Sequence, residues 1–501
     1  MTTDVREAEQ KYEADLGVAL PSLDGLPGVA DISAPEVETL ETQYYDTDDL
    51  RLLRAGITVR RREEEWRLRL PPRPDVRLPA PPAAGPPDEL ARLVRGYTRG
   101  AELRPVARVE TRRRRTTLRD AAGASLARVT SDEVSAQTLG ESTTLSRWNE
   151  IELELTGGRP RLLRAASKRL RDGGLRPAGG NPRLERTLAT ALAPAIRSSS
   201  RSARRQRSGE VVLAYLDAQA TTLKALDPAV RRDEQDSVHQ MRVTIRRLRG
   251  TLQSFPMIMP GLATRHLRDE LKWLGGVLGD ARDGEVLSEY LRARLAGTPP
   301  ELVMGPAQAR IRTHFAPREA AARRAVLEAL DSPRYFGLLD ELDRPLGDPP
   351  LAATAAEPAQ QVLPGAVARA HRRTRRRMHR ASRTQPGQQR DAALHETRKA
   401  AKRARYAAEA VRPVHGKKAR RYAKRMKAVQ SVLGDHQDAV NARAVARDIA
   451  VEAQLAGESS FSFGLLHERA HRDALEYQRQ AQSVWKRADR RKARRWLAGP
   501  G

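Results

Sequence analysis

The sequence predicts two domains of different class: a strand-rich N-terminal α+β domain and an all-α C-terminal domain built as a pseudo-symmetric duplicated bundle. Up to about position 175, the stretches ITVRRRE, WRLRLP, ASLARVTSDEVSA and WNEIELEL alternate with the two-residue period of half-buried strands. After about position 208 the period is helical, interrupted by Pro and Gly at GTPPE and LGDPPL. Within that helical part, two different motifs each occur twice in the same order.

A chain of 501 residues exceeds what one hydrophobic core, limited to about 250–300 residues, can serve. The first domain is expected over 1–195. PPRPDVRLPAPPAAGPP interrupts it as a loop, because proline donates no hydrogen bond to a sheet. A helix over about 158–173 follows its last long strand. The small, polar stretch beginning at Ser198 reads as a linker over 196–207. The helical domain then fills 208–501, with repeat halves at about 208–350 and 360–497.

The formal charge of +28 is unevenly placed. Residues 1–200 hold 33 Lys and Arg against 30 Asp and Glu, and residues 201–501 hold 58 against 33. A polyanionic partner therefore belongs to the second half. Aromatic residues are only 4% of the chain, few platforms for unpaired bases, which counts against nucleic acid. The absence of cysteine excludes disulfides and thiolate metal ligands. MTTDVREAEQ lacks a signal pattern, and no apolar run approaches the ~20 residues of a membrane span, so a cytoplasmic protein with no membrane partner is expected.

VHQMRVTIRRLR and LHETRKAAKRAR align at an offset of 156: His239, Arg242, Arg246 and Arg249 recur as His395, Arg398, Lys402 and Arg405. LKWLGGVLGDARD and MKAVQSVLGDHQD align at 155: Lys272, Asp280 and Asp283 recur as Lys427, Asp435 and Asp438. At about 100° per residue, helix positions 0, +3, +7 and +10 share an arc of roughly 80°. Each copy therefore presents one cationic stripe. A merely solvated basic face is the bland alternative, but like charges at that spacing repel, and neither stripe intersperses an acid. ARAHRRTRRRMHRASR adds Arg369, Arg372, Arg373, Arg376 and Arg380 on another helix. The planar guanidinium fork suits phosphate oxygens, and repeats packed about a pseudo-twofold axis would let the stripes share a groove or pore. The paired aspartates read as salt bridges or caps for the basic helices rather than as metal ligands.

In the first domain, Glu7, Glu9 and Lys11 alternate and would share one face of a strand. Alone, that pattern also fits a solvated edge strand. It is joined by same-face pairs Arg60/Arg62, Arg67/Arg69 and Arg112/Arg114 and by Glu150, Glu152 and Glu154. A barrel with a charged lumen accounts for all of these.

The duplicated His-x-x-Arg-x-x-x-[Arg/Lys]-x-x-Arg helices and Leu-Gly-Asp-x-x-Asp turns resemble the CHAD domain, a conserved-histidine α-helical domain, over about 208–497. That resemblance implies two four-helix units binding inorganic polyphosphate in a central basic channel, and placement on polyphosphate granules. The implied ligands are the two stripes, with Lys272, Lys427, Arg372 and Arg376. His239 and His395 would supply a hydrogen bond or a pH-sensitive charge, or else simply pack. The strand domain resembles the CYTH family of triphosphate tunnel metalloenzymes over roughly 1–195. That resemblance implies an antiparallel eight-stranded β-tunnel, a short-chain triphosphate substrate and Mg2+ or Mn2+. Metal binding would fall to Glu7, Glu9, Glu152 and Glu154, and triphosphate binding to Lys11, Arg60, Arg62, Arg69, Arg112 and Arg114. Glu7, Glu9, Lys11 and Asp132 would form the catalytic set. Arg69 stands where that family has a lysine, and SDEV offers only Asp132 after Ser131. The expected function is a metal-dependent inorganic triphosphatase joined to a polyphosphate-binding bundle. A tunnel kept for binding alone and a nucleic-acid binder remain the alternatives.

Overall fold

The computed structural model describes residues 9–14, 18, 20–80, 85–140, 143–178, 206–347 and 351–498. The chain divides into two compact units, Met1–Arg197 and Ser198–Gly501. Most of the expected linker lies outside the described residues, as does Glu7.

Among the described residues, the first unit is one antiparallel sheet of ten strands. Eight are longer: β1 Glu9–Ala14, β3 Glu36–Asp46, β4 Thr58–Arg62, β5 Glu65–Arg69, β6 Val76–Pro79, β7 Arg104–Arg119, β8 Ser125–Thr138 and β9 Leu145–Leu155. The two others, β2 Asp31–Ile32 and β10 Arg176–Pro177, have two residues each. The order is β10-β1-β9-β8-β7-β3-β4-β5-β6, with β2 on β7.

Alternation along these strands runs inside out. Val59, Trp66 and Leu68 are buried on the outer face beneath helix α2 (Asp88–Thr98), whose Leu90, Leu93 and Val94 form one apolar stripe. Tyr12, Val129, Ile151 and Leu153 lie beneath α3 (Pro160–Asp172), which begins with proline at a position where no amide hydrogen is required. With both apolar patches of the outer face covered by helices, most of the inner face is left to charged residues. Toward one end that inner face turns apolar: Tyr44, Val109, Val134, Ala136 and Trp148 pack with Leu50 and Leu53, the latter on the short helix α1 (Arg51–Arg54).

The second unit is helical: α4 Ser208–Arg231, α5 Ser237–Ser254, α6 Arg265–Ala296, α7 Ala307–Leu330, α8 Pro333–Gly347, α9 Ala359–Arg383, α10 Gln388–Ala410, α11 Arg412–Leu455, α12 Phe461–Ala488 and α13 Arg491–Arg494. Helix α11 kinks at Gly416, whose φ of 45° is accessible to glycine at little cost. The repeat pairs α5 with α10 and α6 with α11. Its halves do not form separate cores, since the largest apolar cluster joins Met241, Ile245 and Leu274 to Ala404, Tyr422 and Met426. No described helix is long and apolar enough to cross a membrane.

Candidate functional site

The sheet curls until β1 and β5, six places apart in its order, border one cavity of about 620 Å3. Arg60 and Arg62 of β4, Arg67 and Arg69 of β5, Arg113 of β7 and Lys11 of β1 line it. Glu13, Asp132, Glu150 and Glu152 line it as well. The Arg62 Nε donates to Thr42 Oγ1 at 3.2 Å, Arg67 pairs with Asp75, and Arg113 makes two 2.8 Å bonds to the carboxylate of Asp132.

Pairing of β1 with β9 sets Lys11 opposite Glu152 and Glu9 opposite Glu154. The Lys11 ammonium lies 2.9 Å from Glu9 and 3.7 Å from Glu152, while Glu154 accepts from Arg128 at 3.3 Å. The Glu9 and Glu152 carboxyls also hydrogen-bond each other. That bond, and then Lys11, hold Glu9 below the usual carboxylate range, whereas burial and then Glu9 push Glu152 up. Burial opposes the charge on Lys11, but Glu9 and Glu152 outweigh it and raise its pKa. Two carboxyls close enough to share a proton present the oxygen donors that a hard divalent cation takes, so these residues fit such an ion. Among the described residues, no group of three His, Asp or Glu stands at ligating distance.

In the helical unit the two stripes converge. A Cβ on Gly250 would lie 2.9 Å from the ring of Tyr406, its own repeat partner at the 156-residue offset, so α5 and α10 meet where the pseudo-twofold axis passes. Arg246 and its partner Lys402 lie within electrostatic reach of each other, with Arg242 and Arg398 beside them. Burial and then Arg398, Arg246 and Arg242 pull Lys402 down to about 6, against the opposing charge of Asp438. Burial likewise lowers Arg246 and Arg249. The buried Nε atoms of Arg246, Arg249 and Arg398 have no hydrogen-bond partner among the described residues. Each such donor costs about 1–3 kcal/mol, so although Arg246 also bonds the Tyr406 hydroxyl, these buried cations are short of acceptors. Burial lowers His239 and His395, and the Nδ1 of His395 lies 2.8 Å from Gln437 Oε1.

A model of the CYTH domain matches residues 6–174, and one of the CHAD domain matches residues 214–447. The chain is a CYTH–CHAD protein. Two Mycobacterium tuberculosis proteins, the uncharacterized proteins MT2285 and Rv2226, are each 34% identical to it over 516 residues, 97% of this chain and 98% of theirs. Among solved structures, PptA from Streptomyces chartreusis is similar at 24% identity and a TM-score of 0.47, covering 56% of this chain and 100% of that one. The CHAD domain from the plant Ricinus communis is similar at 26% identity and a TM-score of 0.41, covering 62% and 98%. CYTH proteins are metal-dependent tunnel enzymes that bind triphosphate, and CHAD is a polyphosphate-binding domain.

In the CYTH unit, the fold brings Glu9, Lys11 and Glu152 together and sets Arg60, Arg62 and Arg69 on the same cavity as Asp132. Arg112 and Arg114 require a correction. Both are exposed on the opposite face of β7, where Arg114 pairs with Glu133 at 3.3 Å, and Arg113 takes the inner position. The burial of Val109 and Thr111 sets this parity, which a run of four arginines does not reveal. In the CHAD unit, Arg242, Arg246, Arg398 and Lys402 meet at the axis. Arg249 stands instead beside Arg403, with Arg373 of the third basic stretch and Arg377; Arg377 and Arg403 were not among the residues expected from the sequence. Arg405 donates to Glu409 at 2.7 Å and Gln430 at 3.1 Å. Lys272, Lys427, Arg372 and Arg376 are exposed on their helices.

The Leu-Gly-Asp-x-x-Asp motifs are not turns but lie inside α6 and α11. Their glycines admit an arginine laid against the helix: a Cβ would lie 3.3 Å from the Arg242 guanidinium at Gly279 and 3.1 Å from that of Arg398 at Gly434. Asp283 then accepts from Arg242 at 2.7 Å, the salt-bridge role expected of it.

Proposed function

We propose that the CYTH unit hydrolyses tripolyphosphate with Mg2+ or Mn2+, and that the CHAD unit captures inorganic polyphosphate. The observation that carries the reading is the division of one cavity wall: arginines from β4, β5 and β7 line part of it, and Lys11 and Glu152, both bonded to Glu9, line another. Arg60, Arg62 and Arg69 would hold the phosphate oxygens, bidentate where geometry allows, and Asp132 would fix the guanidinium plane of Arg113. Lys11 would balance the substrate charge nearest the carboxylates. Glu9 and Glu152 would hold the divalent cation, which when bound neutralises phosphate oxygens and acidifies a bound water. The apolar packing around Trp148 keeps water from one end of the lumen, where it would weaken these electrostatic contacts.

The second reading, a tunnel that binds without turnover, is favoured by the engagement of both Asp132 oxygens with Arg113, which makes it a poor base. Phosphate release from tripolyphosphate, nucleoside triphosphates and long polyphosphate, with Mg2+, Mn2+ or EDTA, decides between them. Metal-dependent release from tripolyphosphate supports the enzyme; no release from any substrate leaves the binding reading. Capture by the CHAD unit would also carry the protein onto polyphosphate granules, which imaging of a fluorescent fusion tests.

A further inference from the structure

Three segments of the CHAD unit that are far apart in sequence meet around one buried hub. They are α9, the first part of α11 (412–430) and residues 485–498. His371 of α9 is the centre. Its Nε2 lies 2.9 Å from Asp489, its Nδ1 lies 3.0 Å from the Tyr422 hydroxyl, and its ring stacks on Trp485 at 5.7 Å. Trp496 packs edge-on against Tyr422 at 6.0 Å and against His415 at 5.4 Å.

The aromatics point inward, and the segments turn charge outward. They carry eight, eight and seven Lys or Arg respectively, and their only acid is Asp489. Asp489 is consumed within the hub, where Arg375 at 3.6 Å and Arg494 at 3.9 Å join His371 around it. Lys417, Lys418, Arg420, Arg421, Lys424 and Arg425 are all exposed. A solvated helix face normally mixes signs, because like charges three and four apart repel. The face is also continuous with the axis. Arg373 and Arg377 of α9 stand beside Arg403 of α10, which stands beside Arg249 of α5, one turn from Arg246; Glu396 of α10, 2.8 Å from Arg377, is the acid set among these four arginines, so the row keeps a net positive charge. Residues 485–498 lie beyond the 214–447 matched by the CHAD model, whereas α9 and residues 412–430 lie within it and carry Arg372, Arg376 and Lys427, expected ligands that are exposed on this face and not gathered at the axis.

We propose that this face is a second polyphosphate-binding surface, holding the part of a long chain that extends from the axis cluster. The proposal rests on the axis cluster being a polyphosphate site. A flexible chain of phosphates fits better than nucleic acid, because the line of arginines leads from the axis and the hub rings point inward, away from any base. Two linked sites raise the affinity for a ligand long enough to span them by about 10²–10⁴ without any new type of contact.

The test titrates the full-length protein, with EDTA to suppress hydrolysis, with chains of about ten and about one hundred phosphates, which isolate one site and span both. Wild type should prefer the long chain by about 10²-fold. A variant carrying Arg420→Gln, Arg421→Gln, Lys424→Gln and Arg425→Gln, its fold checked by circular dichroism, should bind the short chain as wild type does. It should lose at least about tenfold for the long chain. Arg246→Gln with Arg398→Gln should weaken both. Wild-type long-chain affinity in the folded face variant overturns the proposal. Unchanged binding in the folded axis variant, with long-chain loss in the face variant, instead overturns the axis reading on which extension depends. Duplex DNA that displaces long polyphosphate at matched phosphate concentration, and loses affinity in the face variant, assigns the face to nucleic acid and overturns the proposal.

Discussion

Lys402 offers a pH signature that an ordinary basic surface lacks. In the free protein its pKa is about 6, so above neutrality the amine is uncharged. A polyanion docked at the axis favours the charged form and draws the pKa back toward the ordinary ~10.4. Between the two values, binding takes up a proton, and affinity falls with rising pH by at most about tenfold per unit. From pH 7 to 8.5 the loss should approach about 30-fold, with the curve flattening below pH 6 as far as this lysine is concerned. Burial lowers His239 and His395 below the ordinary imidazole value, so their charges add on the acid side of that window. Calorimetric titration with polyphosphate in buffers of different ionisation enthalpy measures the uptake directly. Lys402→Arg, charged throughout, should abolish most of the slope. A flat wild-type profile from pH 7 to 8.5, or an equal slope in Lys402→Arg, refutes the reasoning.

Without ligand, the same residue acts on stability in the opposite sense. Between pH 6 and its ordinary value the unfolded chain binds the Lys402 proton and the folded chain does not, so stability rises with pH across that window. Lys402→Met should therefore raise the Tm at neutral pH, by on the order of 1–4 kcal/mol of stability, while weakening polyphosphate binding. Gly434→Ala should separate the same two quantities by another route. Alanine adds about 0.5–1 kcal/mol of helix preference, but its Cβ, 3.1 Å from the Arg398 guanidinium, displaces that side chain, so affinity should fall without loss of stability. In the tunnel, Asp132→Ala breaks a pair whose side chains are 4% and 17% exposed and should cost about 3 kcal/mol in thermal or urea unfolding.

The parts of the site legible in the sequence were those flanked by residues of unmistakable burial. Arg60, Arg62, Arg67 and Arg69 alternate with Val59, Trp66 and Leu68, which fixes the parity of β4 and β5. Arg112 to Arg115 lack such neighbours inside the run, and the inner arginine was therefore misplaced by one residue. The cationic stripes were legible because helical spacing and duplication are properties of the sequence alone. Their convergence was not, since it depends on α5 crossing α10 at Gly250 and Tyr406. Gly-Asp suggested a turn because glycine is a poor helix former, and only the arginine lying over each glycine explains why the helix continues. Glu409, four residues after Arg405, was a visible sign that this arginine already had a partner.

Direct titration of long-chain polyphosphate onto the full-length protein, in EDTA, tests the convergence of the two repeats most directly when wild type is compared with Arg246→Gln plus Arg398→Gln. Two charge-assisted contacts at about 1.5–3 kcal/mol each predict a loss of at least about 10²-fold, with the circular dichroism spectrum unchanged. A folded double variant that binds as tightly as wild type would contradict the account.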